Sequence, residues 1–334
     1  MNNKLDLDQY SYLVSDKVQE LIIFPTEQCN FRCTYCYEDF QLKKMSPSIV
    51  QAIKNFLDNR APKLNFLTLS WFGGEPLVAK DIVLDISKYA NYLSNKYEHL
   101  SYFSVMTTNG YLLTPSTFEA LVKEGVTRYQ ISLDGPKSIH NLTRIKANGE
   151  GTFEKIWDNL LYIRSSDHKN IQITLRIHLT QDNLAYMSDF MLELRKQFVQ
   201  DPRFKIFLKP IARLGGPNDS ILNLINKNEK ESIIDQLKSL LYQNSPESSD
   251  INDFKSDPVC YASKPNSIAI RSDGSLAKCT VALQDEQNNI GNIELDGILN
   301  INQNRLAPWL RGVFTLDSEA LACPLSYLNK KEVN

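Results

Sequence analysis

The stretch Cys29-Asn30-Phe31-Arg32-Cys33-Thr34-Tyr35-Cys36 sets three cysteines within eight residues, in the spacing C-x3-C-x2-C, and supplies no fourth. A closed tetrahedral zinc site wants four ligands, so three thiolates in so short a loop leave one coordination position open. An iron–sulfur cluster suits such a triplet as well as zinc does. Immediately before the loop lies a short apolar run, Leu21–Phe24, and the fold follows from what repeats after it.

Further strand candidates occur at Phe66–Trp71, Phe103–Thr107, Arg128–Leu133, Ile171–Leu179 and Phe204–Leu208. Helical patterns separate them. Phe153, Ile156, Trp157, Leu160 and Leu161 recur on one face of a 3.6-residue period, and Thr114-Pro115 reads as a cap followed by proline at the first helical position. Six strand–helix units in order imply a parallel sheet, closed or curled like part of a (β/α) barrel. In such barrels chemistry gathers at the C-terminal strand ends. There the cysteine loop follows the first strand, Gly73-Gly74-Glu75-Pro76 the second, Thr108-Asn109-Gly110 the third and Asp134-Gly135 the fourth. After Pro210 the pattern breaks. Ala212–Ser220 reads as a loop, Glu229–Tyr242 as a polar helix, Gln243–Ser256 as a linker, and Ser267–Arg271 with Leu276–Thr280 as a hairpin.

The chain has 334 residues, with 37 basic against 39 acidic, enough for one large domain and a small one. No basic block with interleaved aromatics points to nucleic acid. The N-terminus lacks a signal-peptide pattern and no run of about 18 apolar residues spans a bilayer, so the expectation is a cytoplasmic protein without a membrane partner. In that reducing compartment the six cysteines read as ligands or nucleophiles. They form two triplets: Cys29, Cys33, Cys36 near one end and Cys260, Cys279, Cys323 near the other.

C-x3-C-x2-C with Tyr35 before the last cysteine, followed one strand later by Gly-Gly-Glu-Pro, resembles the radical S-adenosylmethionine (SAM) superfamily over residues 20–210. The resemblance implies a [4Fe–4S] cluster on Cys29, Cys33 and Cys36 whose vacant iron takes the amino and carboxylate groups of SAM. The reduced cluster then cleaves the sulfonium to a 5′-deoxyadenosyl radical that abstracts hydrogen from substrate. It further implies that Glu75 accepts from the methionine ammonium and that Gly73 and Gly74 let backbone approach the cofactor. Arg176 would pair with the carboxylate, Asn109 and Ser132 would bind the ribose, and backbone from Tyr35 to Tyr37 would meet the adenine. Asp134 would point into the barrel mouth as a substrate contact, a base or only a turn; His178, on the face of Arg176, is a second catalytic candidate. His140 and Arg144 could also face substrate.

Cys260, thirteen residues, Gly274, four residues and Cys279 resemble the opening of SPASM and twitch extensions, which carry auxiliary iron–sulfur clusters. Only Cys323 follows, and Ser326 stands where a second cysteine of a closing C-x2-C would fall. One auxiliary [4Fe–4S] cluster is therefore the maximum, with three cysteines and a fourth position that is open or filled by Ser326, a carboxylate, water or substrate. The expected fold is α/β: a partial (β/α)6 TIM-like barrel with a small twitch-like α+β extension. The expected divisions are 1–19, 20–215, 216–256 and 257–334.

The wider text, including WFGGEPL, TTNGYLLT and ISLDGPKSIHN, resembles the peptide- and protein-modifying branch of this group. That implies a ribosomally made precursor peptide as substrate, a radical carbon–carbon or thioether cross-link as product, and an external electron donor such as flavodoxin or ferredoxin. The alternatives are dehydrogenation of a small-molecule alcohol and sulfatase-maturase-like oxidation. Sulfatase-maturing members carry an Asp where Thr280 follows Cys279. About twenty residues precede the first strand, which leaves leader recognition to the barrel rim, the appendage or a separate protein.

Overall fold

A computed structural model describes residues 7–243 and 259–331, so nearly all of the linker expected at 243–256 lies outside the described residues. One ten-stranded sheet organises the chain: β1 Val18–Ile23, β2 Phe66–Trp71, β3 Ser101–Thr108, β4 Val126–Leu133, β5 Gln172–Leu179, β6 Phe204–Pro210, β7 Ser267–Ile270, β8 Ser275–Ala277, β9 Asn289–Ile293 and β10 Leu299–Ile301. The order across it is β10-β9-β8-β7-β1-β2-β3-β4-β5-β6. β1 to β6 run parallel, joined by helices such as Pro47–Arg60, Lys80–Lys96 and Phe153–Ser165. β6 and β10 end the sheet, so the barrel is open rather than closed.

Alternation along the strands explains the layers. Leu67, Leu69 and Trp71 of β2, Ile131 and Leu133 of β4, and Ile173, Leu175 and Ile177 of β5 are buried in one continuous core with the helices. The alternate positions Ser70, Gln130, Ser132, Thr174 and Arg176 face the other way. A packed barrel interior is filled by branched apolar side chains; this face instead carries a few polar groups that can orient a ligand. Thr114 caps the helix Pro115–Lys123, accepting from Thr117 N, and so confirms the signal in Thr114-Pro115.

The hairpin expected near residue 270 is present but continues the main sheet. β7 pairs in parallel with β1, in register Leu21↔Ile268, and β8, β9 and β10 follow antiparallel. β9 and β10 have no strong local signal: their stretch is rich in Asn and Gly, and only pairing to β8 makes it sheet.

Candidate active site

The cysteine loop leaves the C-terminal end of β1 and is held by backbone hydrogen bonds to a distant segment. Arg32 N donates to Ile145 O at 2.8 Å, Thr34 N to Thr143 O at 3.0 Å, and Ala147 N to Asn30 O at 2.9 Å. From the other side the stretch after β6 lies over it as a strap. Asn218 Nδ2 donates to Thr34 O at 2.9 Å, and a Cβ on Gly216 would sit 2.5 Å from Cys36 O. Burial pushes up the thiol pKa of all three cysteines: Cys29 strongly, with the Glu75 charge adding to it, Cys33 to about 11 against the opposing pull of Arg144, and Cys36 less.

The three cysteines border a cavity of about 270 Å³ at the strand ends. Tyr35, Tyr37, Gly73, Gly74, Asn109, Ser132, Arg176 and His178 all line it, as do Arg144 and Lys209. Arg176 is the clearest unsatisfied group: its Nε is buried with no hydrogen-bond partner among the described residues, and burial lowers its pKa. Asn109 is partly engaged, with Nδ2 donating to Asn30 Oδ1 at 2.8 Å and Oδ1 accepting from Tyr111 N at 3.0 Å.

Glu75 differs from the expectation. It is fully buried and is not among the residues lining the cavity. Its Oε1 accepts from Leu77 N and Thr108 Oγ1, and Oε2 accepts from Asn109 N at 2.7 Å. In this structure its carboxylate ties the loop after β2 to the loop after β3. Gly73 and Gly74 differ in a related way. A Cβ at Gly73 would lie 2.4 Å from Thr26 O, and one at Gly74 2.6 Å from Gln28 O. The glycines admit the chain's own backbone, as well as lining the cavity.

Asp134 also turns away from the mouth: it is 2% exposed and does not line the cavity. Its Oδ1 accepts from Tyr35 Oη at 2.8 Å and from His178 Nδ1 at 3.1 Å, and Oδ2 accepts from Thr143 Oγ1 at 2.6 Å. Burial alone would raise its pKa, yet the His178 hydrogen bond and the Arg144 charge hold it well below the carboxylate range. An acceptor-only carboxylate requires the proton of His178 on Nδ1. His178 Nε2 is then a lone pair with no hydrogen-bond partner among the described residues, on a side chain that lines the cavity. Arg144 NH1 donates to Tyr35 Oη at 2.8 Å, joining the cysteine loop to this network. His140 is fully buried behind it. Its Nδ1 accepts from Asp134 N and its Nε2 faces Thr152 Oγ1, so it packs the network and does not line the cavity.

The second triplet assembles beside β8. Cys279 ends the hairpin, Cys260 N donates to Leu321 O at 2.8 Å, and Cys323 N donates to Glu319 O at 3.0 Å. Burial raises the Cys260 pKa, and the charges of Cys279 and Cys323 add to it. Ser326 contributes its backbone, N donating to Cys323 Sγ at 3.5 Å. Buried Asn288 shapes the site, its Oδ1 accepting from Cys279 N and its Nδ2 donating to Cys279 O, each at 2.8 Å. Lys278 is buried with Nζ donating to the carbonyls of Lys264 and Ser267; burial lowers its pKa to about 7, against the pull of Glu20 and Cys260. Tyr37 lies in electrostatic reach of both Cys36 and Cys279.

Among the described residues no three His, Cys, Asp or Glu side chains converge as a site for one metal ion. The raised pKa values of Cys29, Cys33 and Cys36 leave these thiols protonated until a metal deprotonates them. With the orphaned Arg176 on the opposite wall, the first site fits a three-thiolate cluster and an anionic ligand beside it.

Residues 23–191 match the family model described as the radical SAM superfamily. The chain belongs to the radical SAM superfamily. With membership come a [4Fe–4S] cluster and SAM. The chain is 25% identical over 312 residues to a cysteine-type anaerobic sulfatase-maturating enzyme of Clostridium novyi, covering 83% of this chain and 77% of that one. It is 28% identical over 309 residues to a GTP 3′,8-cyclase of Clostridium perfringens, covering 85% and 88%. Among solved structures, native anSMEcpe with bound AdoMet and Cp18Cys peptide superposes with TM-score 0.62 at 19% identity, covering 86% of this chain and 80% of that one. Streptococcus suis SuiB bound to precursor peptide SuiA gives 0.56 at 16%, covering 87% and 66%. At such identities these two show the shared fold.

For a radical SAM enzyme, two elements of this site escape a reading of the cysteine motif. One is the Thr143–Ala147 segment paired to the loop; the other is the strap carrying Gly216 and Asn218. The strap's Gly215-Gly216-Pro217 is its only signal, and it marks a turn without saying what the turn covers. Among the described residues no helix is long and apolar enough to cross a membrane.

Proposed function

We propose that this radical SAM enzyme modifies a ribosomally made peptide in the cytoplasm, joining two residues by a carbon–carbon or thioether bond. The observation that carries the reading is the cavity bordered by Cys29, Cys33 and Cys36 and walled by Arg176, His178 and Lys209, with Tyr37 of its lining in electrostatic reach of Cys279 in the second triplet. Both fold neighbours named above were solved with a bound peptide, which supports a peptide here. The division into a core over 20–215 and an extension over 257–334 belongs to the same reading.

When bound, the cluster and SAM would supply a hydrogen-abstracting 5′-deoxyadenosyl radical, fed by an electron donor such as flavodoxin or ferredoxin, while a [4Fe–4S] cluster on Cys260, Cys279 and Cys323 would accept the electron the product gives up. The chain's own residues do the rest. Arg176 holds the SAM carboxylate as a planar fork; Asn109, Ser132 and the backbone from Tyr35 to Tyr37 hold the nucleoside. Gly73 and Gly74 shape the wall, and Glu75 fixes the loop that carries Asn109. Forming one bond between two residues releases two hydrogens, one as an atom and one as a proton. His178 Nε2 is placed to take the proton, with Asp134 fixing its tautomer. The strap and the Thr143–Ala147 segment keep water from the cysteine loop.

The relative from Clostridium novyi favours a second reading, oxidation of a protein side chain, to which Thr280 after Cys279 is the sequence objection. One experiment separates them. The reconstituted enzyme is incubated with SAM, a reductant and short peptides encoded beside its gene. A peptide that loses two hydrogens and resists fragmentation between two residues establishes the cross-link. An aldehyde captured by hydrazide establishes oxidation, and 5′-deoxyadenosine formation with no peptide changed points to a small molecule.

A further inference from the structure

The cavity wall holds more positive charge than the proposed cofactor uses. Arg176 on β5 and Lys209 on β6 both line it, and neither has a hydrogen bond or ion pair to an acid among the described residues. Arg176 is assigned to the SAM carboxylate above, and Arg144 is engaged by Tyr35 Oη. Lys209 is left over. Its charged neighbours are both cations, Arg176 and Lys230, which together with burial lower its pKa. Glu38 is the one carboxylate lining the cavity, and the charges around it are Glu27, Asp39 and Arg271, on the side of the hairpin. Lys209 is an exposed residue whose side chain forms part of the cavity wall, so an anion entering the cavity meets an unpaired cation there.

The register adds position to charge. Lys209 is the Cα partner of His178 across the β5–β6 pair. Both side chains line the cavity, so a group held by Lys209 shares it with His178.

We propose that Lys209 determines specificity by pairing with a carboxylate of the substrate, so that the modified peptide carries an acidic side chain or its C-terminal carboxylate next to the reacting residue. The proposal rests on the peptide reading above for the word peptide, and on the cavity alone for the carboxylate. The Arg176 and Lys209 charges are then both answered, one by SAM and one by substrate.

The test uses the reconstituted, SAM-loaded enzyme and two matched pairs of probes. One pair is N-acetyl-Gly-Glu-Gly-amide against its Gln counterpart; the other is glutarate against glutaramide. Binding is read by ligand-observed NMR at low salt. The expected result is about tenfold tighter binding of the acid in each pair, as for one charge-assisted contact, with the preference lost in Lys209→Gln. Lys209→Glu should reverse it, favouring N-acetyl-Gly-Lys-Gly-amide over the Glu peptide, which a merely structural lysine would not do. Circular dichroism confirms that each variant is folded. If glutarate shows the preference and neither peptide binds at all, Lys209 holds an anion and the peptide reading falls. If the peptides bind with no acid preference, or the preference survives in Lys209→Gln, the proposal for Lys209 is overturned while the peptide reading stands.

Discussion

Replacing Tyr35 by Phe removes one oxygen and keeps the ring. That oxygen donates to Asp134 Oδ1 at 2.8 Å, accepts from Arg144 NH1 at 2.8 Å and lies 2.9 Å from His178 Nδ1. The Arg144 side chain already carries one buried nitrogen, Nε, without a partner. Leaving a buried polar group unsatisfied costs about 1–3 kcal/mol, more when it is charged. Two charged partners lose a bond here, but Arg144 borders the cavity and water can reach it, so the sum is about 3 kcal/mol. Unfolding entropy of about 2 cal/mol/K per residue makes that a fall in Tm of about 4 °C for a chain of this length. Tyr162→Phe is the control, since its Oη serves Glu119 on the exposed surface and should shift Tm by under about 1 °C. Thermal unfolding followed by circular dichroism, at matched iron content, reads both. If Tyr35→Phe melts within about 1 °C of the parent protein, the network is not a stabilising joint between cysteine loop and strand ends.

His140 should make stability depend on pH. Burial lowers its pKa to about 3 from the ordinary 6.5, so the folded chain keeps it neutral where the unfolded chain protonates it. Its contribution is present above pH 6.5 and lost as pH falls toward 3, at about 1.4 kcal/mol per pH unit and about 5 kcal/mol in all; denaturant midpoints across that window should flatten in His140→Gln. Gly216→Ala places a methyl 2.5 Å from Cys36 O and should lift the strap, weakening SAM binding several-fold by equilibrium dialysis; unchanged affinity would show that the strap is passive. Arg176→Met should weaken SAM binding by about tenfold or more, as loss of a charge-assisted fork does, and an unchanged affinity would reassign that cation. Cys33→Ala should abolish 5′-deoxyadenosine formation, whereas Cys279→Ala should retain uncoupled formation and lose the peptide product; equal loss of both, with the fold intact, would remove the division of labour between the triplets.

The strand–helix order was readable because each unit carries its own local signal: period two in Ile171–Leu179, period 3.6 in Phe153–Leu161, a cap at Thr114. Hence all six parallel strands of the structure lie on the expected runs, within a few residues at the ends. What connects those units was not readable. Nothing local in Thr143–Ala147 announces that it pairs with a loop more than a hundred residues earlier, because backbone pairing leaves no composition behind. Likewise Glu75 and Asp134 were placed at strand ends, but the partners they find there were not readable. Whether a carboxylate faces a cavity or caps the neighbouring loop depends on which backbone N–H groups come within reach, and those belong to other strands. Arg176 was placed well for the opposite reason, since strand alternation alone puts it on the concave face. The hairpin was legible from Ser272-Asp273-Gly274, but its docking onto β1 was not.

The central claim is that the two cysteine triplets hold two clusters and that only the first meets SAM. Anaerobic reconstitution with iron and sulfide counting, paired with EPR of the reduced protein before and after SAM, tests it directly. The account predicts about eight irons per chain and two signals, of which SAM perturbs one, and loss of the unperturbed signal in Cys279→Ala. About four irons, or a SAM-sensitive signal that survives in Cys33→Ala, would contradict it.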